Sequence, residues 1–198
     1  GRRRLDHFNE AEAAREIANI QNKLRTQHGL KALAWDSQLA SLAKSYSAST
    51  ALCSSSWYGH SPADTRTKVG PFFWVGENLW RHIAPRSVDE VVDGWFKEHY
   101  CYRYGPRVNP RNLECELDCG SACTSNNIVC QAGHFRQMFY EENTHIGCGV
   151  SQCGPGGRYW NVICNYGTEG GFGMPDVGDY YFSSAVAKNV GLNFGHVC

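Results

Sequence analysis

Between residues 9 and about 28 the apolar side chains Ile17, Ile20 and Leu24 fall three and four apart, the spacing of one helix face, and Asn9 with Glu12 forms a capping-box pair ahead of them. Gly29 supplies the stop. A second helix opens at Asp36, where Leu39, Leu42 and Tyr46 make one stripe and Ala40 and Ala43 widen it; it is expected to end before Cys53. A third starts at the capping pair Ser87 and Glu90 and carries Val88, Val91, Val92, Trp95 and Phe96. Val91, Trp95 and Glu98 stand at i, i+4 and i+7, so a carboxylate shares a helix face with two residues that want burial. That conflict needs a cause.

A short helix is expected over 134–140, followed by two strand-like runs, 146–153 and 159–166, joined by Gly154-Pro155-Gly156-Gly157 as a hairpin. Helices first and a hairpin last, with few β-branched runs, predict an α+β fold in which helices cover a small sheet. The Ser-, Gly- and Pro-rich stretch 53–76 reads as a long ordered loop held by a cystine.

Composition narrows the class. In 198 residues, 42% of them hydrophobic, no run approaches the ~18 uninterrupted apolar residues of a membrane-spanning helix. Nineteen basic against nineteen acidic residues leave no net field, so nucleic acid is not an expected partner. The ten cysteines, Cys53, Cys101, Cys115, Cys119, Cys123, Cys130, Cys148, Cys153, Cys164 and Cys198, are even in number and point to disulfides in an oxidising compartment; their pairing is not readable from spacing. The four-residue repeat Cys115, Cys119, Cys123 suggests a metal cluster, but no pair has zinc-knuckle spacing. The opening Gly-Arg-Arg-Arg, without a methionine or an apolar leader, is what a mature secreted product is expected to show.

No nucleophile elbow, His-Glu-x-x-His, phosphate loop or dinucleotide fingerprint is present. Five local words remain: Gly59-His60-Ser61-Pro62, Gly76-Glu77-Asn78-Leu79-Trp80, Trp95-Phe96-Lys97-Glu98, Gly133-His134-Phe135-Arg136-Gln137 and Cys164-Asn165-Tyr166. In this order, over residues 9 to about 172, they resemble the CAP superfamily of cysteine-rich secretory proteins, venom allergens and plant pathogenesis-related proteins, the venom allergen-like proteins of parasitic worms above all. Arg136, Tyr140, Thr168 and Gly171 depart from the usual family signatures. The resemblance implies a three-layer α-β-α sandwich, placed over residues 1–172; the five cysteines at 101–130 are expected to staple an irregular loop, and the tail 173–198, whose single cysteine Cys198 cannot staple a second domain, is expected to wrap the first. The resemblance also implies a cleft holding His60, Glu77, Glu98 and His134, which gives Glu98 a reason to share a face with Trp95.

Two imidazoles and two carboxylates suit Zn²⁺ or another divalent cation, with positions left for water. The same groups could act as acid and base, or form a neutralising hydrogen-bond network that pins loops to helices. Hydrolysis would need a metal-bound water, since no serine or cysteine is marked as a nucleophile. Family members are similar in binding sterols at an aromatic loop and fatty acids between helices. On that ground Tyr100, Tyr102 and Tyr104 are expected to wall a lipid pocket and Ile17, Ile20 and Leu24 to line a channel. The expected function is extracellular binding of a sterol or fatty acid, as an effector or allergen meeting a host or target protein. A metal-dependent hydrolase and a pure interaction module acting through surface loops are the alternatives.

Overall fold

The computed structural model describes residues 4–54, 58–98 and 133–173. Tyr100, Tyr102, Tyr104, the five cysteines between 101 and 130, Cys198 and the tail beyond Gly173 lie outside the described residues.

The first helix, α1 (Glu10–Gln27), starts on the expected capping box, Glu12 N–H donating to Asn9 Oδ1 at 2.9 Å and Asn9 N–H to Glu12 Oε2 at 3.2 Å. Gly29, at φ +84°, turns the chain after it. A two-residue strand, β1 (Ala34–Trp35), leads into α2 (Ser37–Ser47), capped by Asp36. The second helix carries the whole predicted stripe and ends before Cys53, as expected. It closes at Ala48, and Ser49 caps a separate turn, α3 (Thr50–Cys53). The stretch read as a loop contains a 3-10 turn and a small hairpin, β2 (Thr67–Val69) and β3 (Phe72–Trp74). Then follow β4 (Gly76–His82), α4 (Val88–Phe96) on its Ser87/Glu90 capping box, α5 (Gly133–Phe139), and the long pair β5 (His145–Cys153) and β6 (Tyr159–Gly167).

The main sheet has the order β1-β5-β6-β4. Three strands are antiparallel, with Cys148 opposite Cys164 and Asn78 opposite Cys164 on the other side; β1 adds a short parallel edge. The strand β6 is buried along its whole length because helices cover both faces. On one face Val162, Cys164 and Tyr166 join Ile146, Cys148 and Val150 against Ile17, Val91, Trp95, Phe135 and Phe139 from α1, α4 and α5. On the other, Ile163 and Leu79 meet Ala43, Tyr46 and Leu52. The architecture is therefore the three-layer α-β-α sandwich. Its second interface is unusually close: a side chain at Gly147 or Gly149 would collide with the backbone of Ala40 or Lys44, so α2 rests directly on β5.

Two disulfides fasten the layers. Cys53–Cys153 ties α3 to the end of β5 across 100 residues, and Cys148–Cys164 joins opposed residues of β5 and β6. Closing a loop of that length restricts the unfolded chain by the equivalent of about 4–5 kcal/mol. Among the described residues no cysteine is free, and no helix is long and apolar enough to cross a membrane.

Candidate functional site: two histidine–carboxylate pairs

His60 lies on the segment between α3 and the 3-10 turn at Ala63–Arg66, and the chain around it is pinned by three side-chain-to-carbonyl hydrogen bonds. Tyr46 Oη donates to Gly59 O at 2.7 Å, Arg66 Nη2 to Ser61 O at 3.3 Å and Tyr58 Oη to Leu79 O at 3.4 Å. Glu77, on β4, is only 5% exposed. Such a carboxylate must be fully hydrogen-bonded. It accepts from His60 Nδ1 and the Ser61 amide at 2.9 Å each through Oε1, and from Ser61 Oγ at 2.7 Å through Oε2.

The second pair explains the conflict on α4. Glu98, just beyond the end of that helix, receives the amides of His134 and Phe135 on Oε2 at 2.8 and 3.1 Å and His134 Nδ1 on Oε1 at 2.6 Å. It therefore caps α5 from another element, satisfying amides that have no partner inside the helix and placing a negative charge at the positive end of its dipole. The Trp95 ring stacks on His134 at 6.0 Å and 15°, and its indole N–H donates to Leu79 O at 3.0 Å. An acid and a tryptophan share the face because both grip one histidine.

Because a carboxylate can only accept, Nδ1 of each imidazole carries the proton. Each ring thus turns a basic Nε2 outward, and neither Nε2 has a partner among the described residues. The four residues come together as two pairs. Among the described residues no group of three or more His, Cys, Asp or Glu side chains converges as a metal cage. Both carboxylates receive histidine and backbone donors, Glu77 the Ser61 hydroxyl as well, and each orients its imidazole.

A buried polar chain carries His134 into the core. Asn78 Nδ2 donates to His134 O at 3.0 Å and to Tyr166 Oη at 3.2 Å; Tyr166 donates on to Gln21 Oε1 at 2.6 Å. Complete burial drives the Tyr166 phenol far above its ordinary range, so it stays a donor. Arg25, fully buried, holds the other end of α5: Nη1 donates to Met138 O at 2.6 Å and Tyr140 O at 3.1 Å, and Nε to Lys31 O at 3.0 Å. Burial lowers its pKa to about 10, and it remains a cation at neutral pH.

Ser61, Asn78, Gln21 and Arg25 were not singled out as site residues by sequence. Gln21 and Arg25 stand four and eight positions after Ile17, polar residues on the buried face, which is the same signal that marked Glu98. Of the expected lipid contacts, Ile17 is fully buried in the core, while Ile20 and Leu24 are half-buried against its edge.

An α-β-α sandwich carrying two paired His–Glu sites defines the class of domain, and comparison with known proteins names its family. The model of the cysteine-rich secretory protein family (CAP) matches residues 18–166; the chain belongs to that family. It is 28% identical over 169 residues to horse cysteine-rich secretory protein 3, covering 82% of this chain and 58% of that one. The chain spans somewhat over half the length of the mammalian relatives it matches. Among solved structures, venom allergen-like protein 4 of Schistosoma mansoni superimposes with a TM-score of 0.58 at 22% identity, covering 89% of this chain and 98% of that one. NaASP2, solved with Zn²⁺, gives 0.54 at 19% identity, covering 87% and 86%. At these identities the structural likeness concerns the fold.

Proposed function

We propose that this chain is a secreted binding domain, not an enzyme, which carries a sterol or fatty acid extracellularly and holds a divalent cation such as Zn²⁺ between His60 and His134. The observation that supports binding over turnover is the bonding of the cleft. Both Nδ1 atoms are fixed on carboxylates, the Ser61 hydroxyl donates to Glu77, and no described hydroxyl or thiol is hydrogen-bonded to either imidazole. An activated nucleophile needs that last contact. The two Nε2 atoms fit a borderline-soft cation, which would bridge the segment at His60 to α5, with Glu77 and Glu98 holding the tautomers.

The apolar-ligand reading draws on surface chemistry. Phe73 and Phe172 are 56% and 61% exposed and meet edge to face at 6.5 Å, an aromatic pair that water does not favour. Ile20 and Leu24 offer a second apolar margin on α1. The family relationship supports export, as do the intact disulfides.

The test is native mass spectrometry of the purified chain with organic extraction, followed by competition between labelled cholesterol and palmitate. A stoichiometric co-purifying lipid or saturable displacement is expected. A protein that holds neither probe overturns the lipid reading and shifts the function to contacts with a target protein.

A further inference from the structure

A second concavity lies away from the histidines, between the end of β4 and the outer face of α4. It has a volume of about 310 Å³ and is lined by Trp80, His82, Arg86, Glu90, Asp93, Gly94 and Lys97. That volume is at the lower end of small-molecule sites, roughly 300–1,000 Å³. One wall is aromatic: Trp80 and His82 lie nearly parallel, 5.7 Å apart and 18° between planes. The other is a single helix face, since Glu90, Asp93, Gly94 and Lys97 stand at i, i+3, i+4 and i+7.

Gly94 is the informative residue. Inside a helix glycine costs about 1 kcal/mol relative to alanine. At Gly147 and Gly149 a crowding backbone requires it, but a Cβ at Gly94 would meet nothing within 4 Å, and its φ is an ordinary one. What the missing side chain does is leave the floor of the cavity open.

The charges are ordered along the helix. Arg86 lies within 3.8 Å of Glu90 Oε1, and its Nη2 donates to His82 Nε2 at 3.2 Å; Glu90 Oε2 accepts the Ser87 amide at 2.8 Å. These contacts tie Arg86 and Glu90 to the helix start. Further along, Asp93 and Lys97 are separated by one turn, about 6 Å along the axis. Lys97 has no ion-pair partner among the described residues. An aromatic wall beside carboxylates attracts a quaternary ammonium, and an ammonium side chain one turn away attracts a phosphate.

We infer that this cavity binds the phosphocholine zwitterion, its trimethylammonium between Trp80 and Asp93 above Gly94 and its phosphate toward Lys97. The group can come from a lipid headgroup or from free phosphocholine. The site is separate from the His60/His134 cleft and does not depend on the reading of that cleft.

The experiment is calorimetric titration of the full chain with free phosphocholine, choline chloride and inorganic phosphate, together with sedimentation of phosphatidylcholine vesicles. Saturable phosphocholine binding is expected, weaker for either half alone. Gly94→Leu puts a side chain into the cavity from a position where a Cβ meets nothing within 4 Å, and it improves helix propensity, so it should lower affinity at least tenfold with an unchanged or higher melting temperature. Lys97→Glu should weaken phosphocholine more than choline. Vesicle binding that free phosphocholine displaces supports the headgroup as source; free binding without vesicle binding supports the small molecule. Absence of saturable phosphocholine binding overturns the proposal, as does affinity that Gly94→Leu leaves intact or vesicle binding that phosphocholine fails to displace.

Discussion

Glu77 and Asn78 are consecutive residues of β4, and each holds one of the two cleft histidines. Glu77 accepts from His60 Nδ1 on one side of the strand, and Asn78 donates to the His134 carbonyl on the other. Successive side chains of a strand point oppositely, so a strand at the edge of the sheet can reach both elements around it. One dipeptide thereby fastens both histidine-bearing segments.

If the imidazoles are the ligands, changing both His60 and His134 to Ala abolishes Zn²⁺ binding while lipid binding stays nearly intact. Calorimetry on the double variant checks this; retained Zn²⁺ affinity would place the ligands elsewhere.

Glu98→Gln keeps the shape but loses the charge that caps α5 and orients His134. Stability should fall by about 1–3 kcal/mol. Zn²⁺ affinity should fall by roughly 10- to 100-fold, as when an outer partner of a ligating histidine is removed. Urea unfolding and calorimetry separate the two effects.

Arg25→Met leaves the carbonyls of Lys31, Met138 and Tyr140 buried without their donor. A loss of about 3 kcal/mol is expected. The same variant should loosen the C-terminal turn of α5, seen as faster amide exchange there with little change in β5 and β6.

Alkaline pH distinguishes two buried groups. The Tyr166 phenol keeps its proton in the fold while the unfolded chain releases it near pH 10, so its contribution, present below pH 10, is lost as pH rises further. Arg25 acts oppositely: burial lowers its pKa to about 10, so the fold releases a proton before the unfolded chain does and its contribution to stability rises above about pH 10. Tyr166→Phe isolates the phenol. The wild-type advantage over this variant in urea should be larger at about pH 8 than at about pH 11; an advantage that grows with pH would contradict the sign.

Gly147→Ala drives a methyl group into the backbone of α2, which cannot yield as a flexible side chain would. The expected cost exceeds about 3 kcal/mol. Circular dichroism melting tests it, with Gly94→Ala as the control that should melt no lower than wild type.

The helices were legible because their caps and stripes agree: Asn9/Glu12 and Ser87/Glu90 both close as capping boxes. The pair β5 and β6 was legible from its apolar runs. By contrast β4 carries Gly, Glu, Asn, Arg and His, residues that favour no strand locally, and it forms because β6 offers it a complete ladder. The hairpin β2–β3 has three residues a side and a Lys68 at φ +55°, too short for a period to register. Glu98 betrayed itself by standing on an apolar face. The pairing of the histidines with the glutamates did not, because it depends on α4, α5 and β4 meeting, and those contacts are remote in sequence. The disulfide partners were illegible for the same reason.

The bridge between Cys53 and Cys153 has a topological consequence for the chain when a protease cuts it. His60, Glu77, Glu98 and His134 all lie within the loop it closes. One peptide-bond cut between His60 and His134 yields two fragments still linked covalently, each holding part of the cleft. Such a nicked molecule would migrate as a single band until a reducing agent released the pieces.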